Sequence, residues 1–230
     1  MPADPARTHE AIERIVGEVV DAGAVPITLG GDHSITGPCA TAVAGRRGPL
    51  GLVHFDTHTD TGREVFGVER SHGTPMYRLV EAGSVEGARY AQIGLRGYWP
   101  GPAEFSGSAP AASPPSSCTT SATSASARWS SARSRTWGGG PVYLTVDVDV
   151  LDPAFAPGTG TPEPGGMTSV DLLWAVREVT ARVELAGADV VEVIPTGVGS
   201  ADVTALAAER IVREVLTGIA LRRLDTNIRS

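Results

Sequence analysis

The stretch GLVHFDTHTD, residues 51–60, decides how the rest of the chain is read. Leu52, Val53 and Phe55 suit a sheet interior, because a strand covered on both faces reads as a nearly continuous apolar run. Asp56, His58 and Asp60 then follow at every second position. A strand sends alternate side chains to one face. The spacing therefore predicts a buried strand whose end gathers three coordinating side chains on one side.

Working outward, strands alternate with helices. THEAIERIVGEVVDAG predicts a helix with Thr8 as candidate N-cap and Gly23 as its stop, and VPITLGG follows as a short buried strand. PMYRLVEAG reads as helix, YAQIGLRG as strand and PVYLTVDVDVLDP as strand. TSVDLLWAVREVTARV is a helix capped by Thr168 or Ser169, ADVVEVIP is a strand, and DVTALAAERIVREVLTGIALRRL is the last helix. This alternation predicts a single α/β domain over residues 1–230, with a mainly parallel sheet between two helix layers. The chemically interesting residues all fall at the C-terminal ends of strands, where open α/β sheets place their ligands.

Composition limits the function classes. The chain has 230 residues, 41% hydrophobic and 20% charged, which suits one globular core. A net charge of −7 argues against nucleic acid or an anionic membrane as partner. No apolar run is long enough to span a bilayer and no signal peptide is read at the start, so a cytoplasmic location is expected. Cys39 and Cys118 form no disulfide framework.

Residues 106–137, SGSAPAASPPSSCTTSATSASARWSSARSRTW, do not fit. By composition they are a disordered linker, yet a long structureless loop between core strands is out of place. With GC-rich codons chosen for the stretch, one constant one-base offset recovers an apolar run followed by a heptad-like helix. The expectation is frame-shifted translation, with a slip near Phe105 and a compensating slip near Gly138 to Gly140.

Three segments carry the chemistry: GGDHS with His33, DTHTD with Asp56, His58 and Asp60, and TVDVDVLDP with Asp147 and Asp149. Carboxylates and imidazoles packed together repel and resist burial unless cations neutralise them. Oxygen and imidazole donors without thiolates suit Mn²⁺ or a similar borderline metal rather than a structural zinc. Six donors are many for one ion with an open position, and fit two ions that share carboxylates and a water, whose pKa they would lower.

With GGDHSI, HFDTHTD, SHGTP, VDVDVLDPAFAPGTGTPEPGG and VVEVIP together, the chain resembles the ureohydrolase (arginase/agmatinase) family, nearest agmatinase, over nearly all but residues 106–137. The resemblance implies a three-layer α/β/α fold and two Mn²⁺. It implies hydrolysis of a guanidino compound to urea and an amine by metal-bound hydroxide. It assigns His33, Asp56, His58, Asp60, Asp147 and Asp149 as metal ligands, with Asp60 also catalytic. It assigns His72 of SHGTP as a proton shuttle that also meets substrate, and Glu192 of VVEVIP as the residue that holds the guanidinium. A carboxylate can receive that planar cation through paired charge-assisted hydrogen bonds. A homo-oligomer, trimer or hexamer, is implied as well.

Gly97, Tyr98 and Trp99 follow GLR, where arginases carry acidic residues, so the expected substrate has no amino-acid head: agmatine, or 4-guanidinobutanoate as for a guanidinobutyrase. The chain also departs from the pattern. The family's N-terminal strand is expected to be missing, which would leave a sheet edge open. Its middle βα unit is disrupted at 106–137, and PTGVGSADVT differs from the family's segment after the glutamate strand. A non-catalytic or weakly active, truncated and frame-damaged remnant is therefore the alternative reading. A deacetylase-like amidohydrolase on the same architecture fits less well, because such enzymes use fewer acidic ligands.

Overall fold

A computed structural model describes residues 4–98, 139–195 and 202–229. The anomalous segment 106–137 and Trp99 lie outside the described residues, as does most of PTGVGSADVT.

Helix α1, Pro5–Asp21, starts earlier than the Thr8 cap predicts. Asp4 is the N-cap: its carboxylate accepts from the Arg7 N–H, and Pro5 opens the helix with a backbone already set for it. The Thr8 hydroxyl instead bonds back to the Asp4 carbonyl at 3.0 Å. Gly23, at φ 78°, ends the helix as expected. Strand β1 is Ile27–Leu29, β2 Leu50–Phe55, β3 Val85–Ile93, β4 Pro141–Asp147 and β5 Glu184–Val191. Helix α2 is Thr36–Arg47, α3 Pro75–Glu81, α4 Ser169–Thr180 and α5 Val203–Arg229. Thr168 caps α4. Helix α2 has no clear sequence signal, because TGPCATAVAGRR offers small residues and a glycine–proline pair instead of a marked apolar stripe.

The five strands are all parallel, in the order β1-β5-β4-β2-β3. One face packs Val53, Phe55, Leu144, Val146, Ala188 and Val190 against α4 and α5. The other packs Leu50, Leu52, Tyr90 and Tyr143 against α1, α2 and α3. The three layers match the expected α/β/α arrangement. β1 forms one edge of the described sheet, with Leu29 69% exposed. Among the described residues no helix is long and apolar enough to cross a membrane.

Candidate metal centre

The strands β1, β2, β4 and β5 end side by side, and the loops leaving them converge. Local geometry differs here from the sequence expectation. β2 ends at Phe55, so Asp56, His58 and Asp60 stand on the loop that follows and not on a strand face. Asp149 lies in a 3-10 turn, Val148–Val150, whose N-cap is Asp147; the Asp147 carboxylate accepts the Asp149 N–H at 2.8 Å. His33 opens a second 3-10 turn, His33–Ile35, after β1. Tight turns can bring i and i+2 side chains together as a strand can, so the spacing alone did not separate the two. Asp60 has φ 49°, which aspartate tolerates better than most residues. Glu192 has φ 61°, a strained setting of the kind that clusters at functional sites.

The six side chains predicted as ligands form two adjoining groups. His33 Nδ1 lies 3.1 Å from Asp56 Oδ2, 2.9 Å from Asp60 Oδ2 and 3.4 Å from Asp147 Oδ2. His58 Nδ1 lies 3.1 Å from Asp149 Oδ2 and 3.5 Å from Asp56 Oδ1. Asp56 thus belongs to both, one oxygen to each. All are buried except His58, which is half-buried.

Two observations fit cations. His33 Nδ1 is fully buried and makes no hydrogen bond, although three carboxylates surround it. Its other nitrogen, Nε2, is engaged by the Thr145 hydroxyl at 2.9 Å. Donors held at about 2.1 Å on adjacent positions around one ion lie roughly 3 Å apart, as these do. The electrostatics agree. Burial works against charge on His58, but Asp149 and Asp56 raise its pKa to about 11. Burial, with Asp56 nearby, raises Asp149 to about 6. Burial also pushes Asp147 well up, while burial of His33 is outweighed by Asp147, Asp56 and Asp60, which raise it well above the usual imidazole range. Without metal the cluster retains protons that a cation can displace.

Arg96, of the GLR motif, is a staple. Its guanidinium donates to the carbonyls of Asp149 at 2.6 Å, Glu163 at 2.7 Å, Gly94 at 3.1 Å and Val150 at 3.2 Å. Its own N–H reaches the Thr57 carbonyl at 3.0 Å, so the Asp56 and Asp149 loops are tied together. Gly94, at φ 106°, is needed there: a Cβ would come within 2.8 Å of the Asp56 carbonyl oxygen and 2.4 Å of Val150.

Glu192 sits beside the cluster, its Oε1 accepting the His33 N–H at 2.7 Å. Burial raises its pKa, which the His33 N–H bond opposes; His72 is close enough to favour its charge. His72 is exposed, with the Ser71 hydroxyl 3.3 Å from its Nδ1. Its loop is docked on the site through Met76 N–H to the Asp60 carbonyl, 3.1 Å. Tyr98 is 87% exposed.

One residue at the site escaped the sequence reading. His54 is fully buried, with Nε2 2.8 Å from Asp56 Oδ2. The signal was available: a histidine two residues before Asp56, inside an otherwise apolar strand, must share the aspartate's side of the chain.

The Arginase family model matches residues 1–218. A guanidinopropionase of Pseudomonas aeruginosa is 43% identical over 239 residues, covering 95% of this chain and 69% of that protein. A mitochondrial agmatinase of Gallus gallus is 40% identical over 219 residues, covering 94% of this chain and 62% of that protein. Among solved structures, proclavaminate amidino hydrolase from Streptomyces clavuligerus superposes with a TM-score of 0.84 at 31% identity, over 96% of this chain and 73% of that one.

Proposed function

Since the chain belongs to the arginase family, we propose that it hydrolyses a linear guanidino compound to urea and an amine. The observation that carries this reading is the pair of imidazoles, His33 and His58, each facing its own carboxylates with Asp56 between them. His33, Asp56, Asp60 and Asp147 would hold one Mn²⁺, and His58, Asp56 and Asp149 a second. When bound, the ions supply the Lewis acidity that ionises a water near neutral pH.

The protein's own residues do the rest. Glu192, anchored by the His33 N–H, receives two guanidinium N–H groups and turns the guanidinium carbon toward the cluster. Asp60 accepts a hydrogen bond from the attacking water and orients it. The water gives one proton to solvent and, as its oxygen bonds to the guanidinium carbon, the other to Asp60. The bond from that carbon to the substituted nitrogen breaks, and that nitrogen takes one proton from Asp60 and one from His72, which solvent reprotonates, to leave as an ammonium beside urea.

The relatives named guanidinopropionase, agmatinase and guanidinobutyrase support substrates without an α-amino acid head, agmatine and 4-guanidinobutanoate among them. Assembly as a trimer or hexamer in the cytoplasm belongs to the same reading, and light scattering of the purified chain tests the oligomer. The deciding experiment measures urea release by the manganese-loaded chain from agmatine, 4-guanidinobutanoate, guanidinopropionate and arginine. Release from one of the first three, lost in Asp149→Ala, is the expected result. A chain that binds manganese and releases urea from none of them overturns the proposal.

A further inference from the structure

His54 lies within β2, two residues before Asp56, and is fully buried with both of its ring nitrogens engaged. Nε2 faces Asp56 Oδ2 at 2.8 Å. Nδ1 faces the Tyr90 hydroxyl at 3.0 Å and the Gln92 amide nitrogen at 3.2 Å. The Gln92 amide has only one possible orientation. Its nitrogen stands 2.7 Å from the Thr59 carbonyl oxygen, an acceptor, so the nitrogen and not the oxygen must be there. The same nitrogen is a donor toward His54, which makes Nδ1 the acceptor. The ring proton is then on Nε2 and points at Asp56.

This settles what His54 can do. It stands close enough to His33 and Asp56 to look like a third imidazole ligand, with the His33 and His54 rings edge to face at 5.0 Å. A nitrogen that carries a proton has no lone pair for a cation. On the carboxylate, Oδ2 takes the His54 proton and Oδ1 takes the His58 N–H at 2.6 Å. Each oxygen keeps a lone pair on its other side, one toward His33 and one toward His58.

We propose that His54, with its tautomer fixed by Gln92 and Tyr90, is the positioning residue of Asp56, setting that carboxylate so that its two oxygens face two different cations. The proposal rests on the reading of the cluster as a two-metal site. A partner of this kind orients a ligand and is normally worth about 10–100-fold in metal affinity.

The test compares wild type, His54→Leu, His54→Gln and Gln92→Leu by chelator competition for Mn²⁺. Nitrogen NMR of the metal-free wild-type chain reports the His54 tautomer directly. Expected are a protonated Nε2 and an unprotonated Nδ1, and a loss of about 10–100-fold in affinity in His54→Leu. His54→Gln, whose amide can still donate to Asp56, recovers most of that loss. A purely packing role would not distinguish glutamine from leucine in this way. If His54→Leu does not fold, Gln92→Leu carries the affinity measurement. Unchanged affinity in His54→Leu, or in Gln92→Leu where it stands in, overturns the proposal, as does a proton found on Nδ1. Failure of the wild type itself to bind manganese overturns the metal-site reading instead, and the two failures are told apart by that control.

Discussion

The two faces of the sheet are built on different principles. Toward α4 and α5 the rows stay apolar to the strand ends: Val53, Leu144 and Ala188 pair across three strands, and Phe55, Val146 and Val190 form the next such row. Toward α1–α3 the deeper row is Tyr90, Leu52, Tyr143 and Gly187, but one step on the character changes. Gln92, His54, Thr145, Asp189 and Thr28 occupy one register position across all five strands. This polar row lies directly beneath the ligand loops. Its members bond to one another or to their neighbours: Gln92 to His54, Thr145 to His33, and Asp189 to the hydroxyls of Thr36 and Tyr143, both at 2.9 Å. A buried polar row is tolerable because its groups are largely partnered, and fully satisfied networks fix one arrangement. The lesson is a division of labour: the apolar face holds the domain together, and the polar-topped face aims the site.

The comparison can be broken most sharply at the ligands. Asp149→Ala should lower urea release by more than about 100-fold, since even residues around a metal's ligands cost 10–100-fold. Its folded far-UV circular dichroism should be retained. On the other face, Leu144→Ala should cost about 2–5 kcal/mol by denaturant melts, equally with and without manganese. Equal effects of the two substitutions on metal-free stability would erase the distinction.

The protons held by the cluster give a third test. His58, raised to about 11, is protonated at pH 7 without metal, so binding must displace that proton. Apparent manganese affinity should rise by at least about tenfold per pH unit near neutrality, since His33, also held well above the usual imidazole range, must lose a proton as well. Calorimetry in two buffers of different ionisation enthalpy counts the protons released. The sign for folding runs the other way. A raised imidazole pKa stabilises the metal-free fold below about 6.5, and this contribution is lost as pH climbs toward about 11. Melting temperature of the stripped chain should therefore fall across that window.

Thr145→Val is a milder probe of the polar row. It removes the partner of the buried His33 Nε2 while nearly keeping shape, and should weaken manganese binding about tenfold with about 1–3 kcal/mol lost from the stripped protein. Smallest in functional effect is Asp4→Ala, remote from the site. It should cost about 0.5–2 kcal/mol of stability through the lost cap and leave metal affinity unchanged.

Much of the molecule was legible beforehand. Alternating apolar strands and amphipathic helices gave the layers, and the spacing of Asp56, His58, Asp60, Asp147 and Asp149 marked where side chains would gather. Asp4 and not Thr8 caps α1, because an aspartate directly before a proline is the stronger start signal. The role of His54 is not legible in the strand pattern, which reports which side chains are buried and not what a buried polar group bonds to.

The sequence by itself determined that chemistry sits at strand ends, because continuous apolar runs and donor-rich termini are local properties. Only the tertiary structure decided which ends meet. The order β1-β5-β4-β2-β3 seats β5 between β1 and β4, so Glu192 reaches His33 across 159 residues of chain, and pairing β2 with both β3 and β4 sets His54 between Gln92 and Thr145. Such contacts depend on strand order and register, which long-range packing selects and no local periodicity encodes.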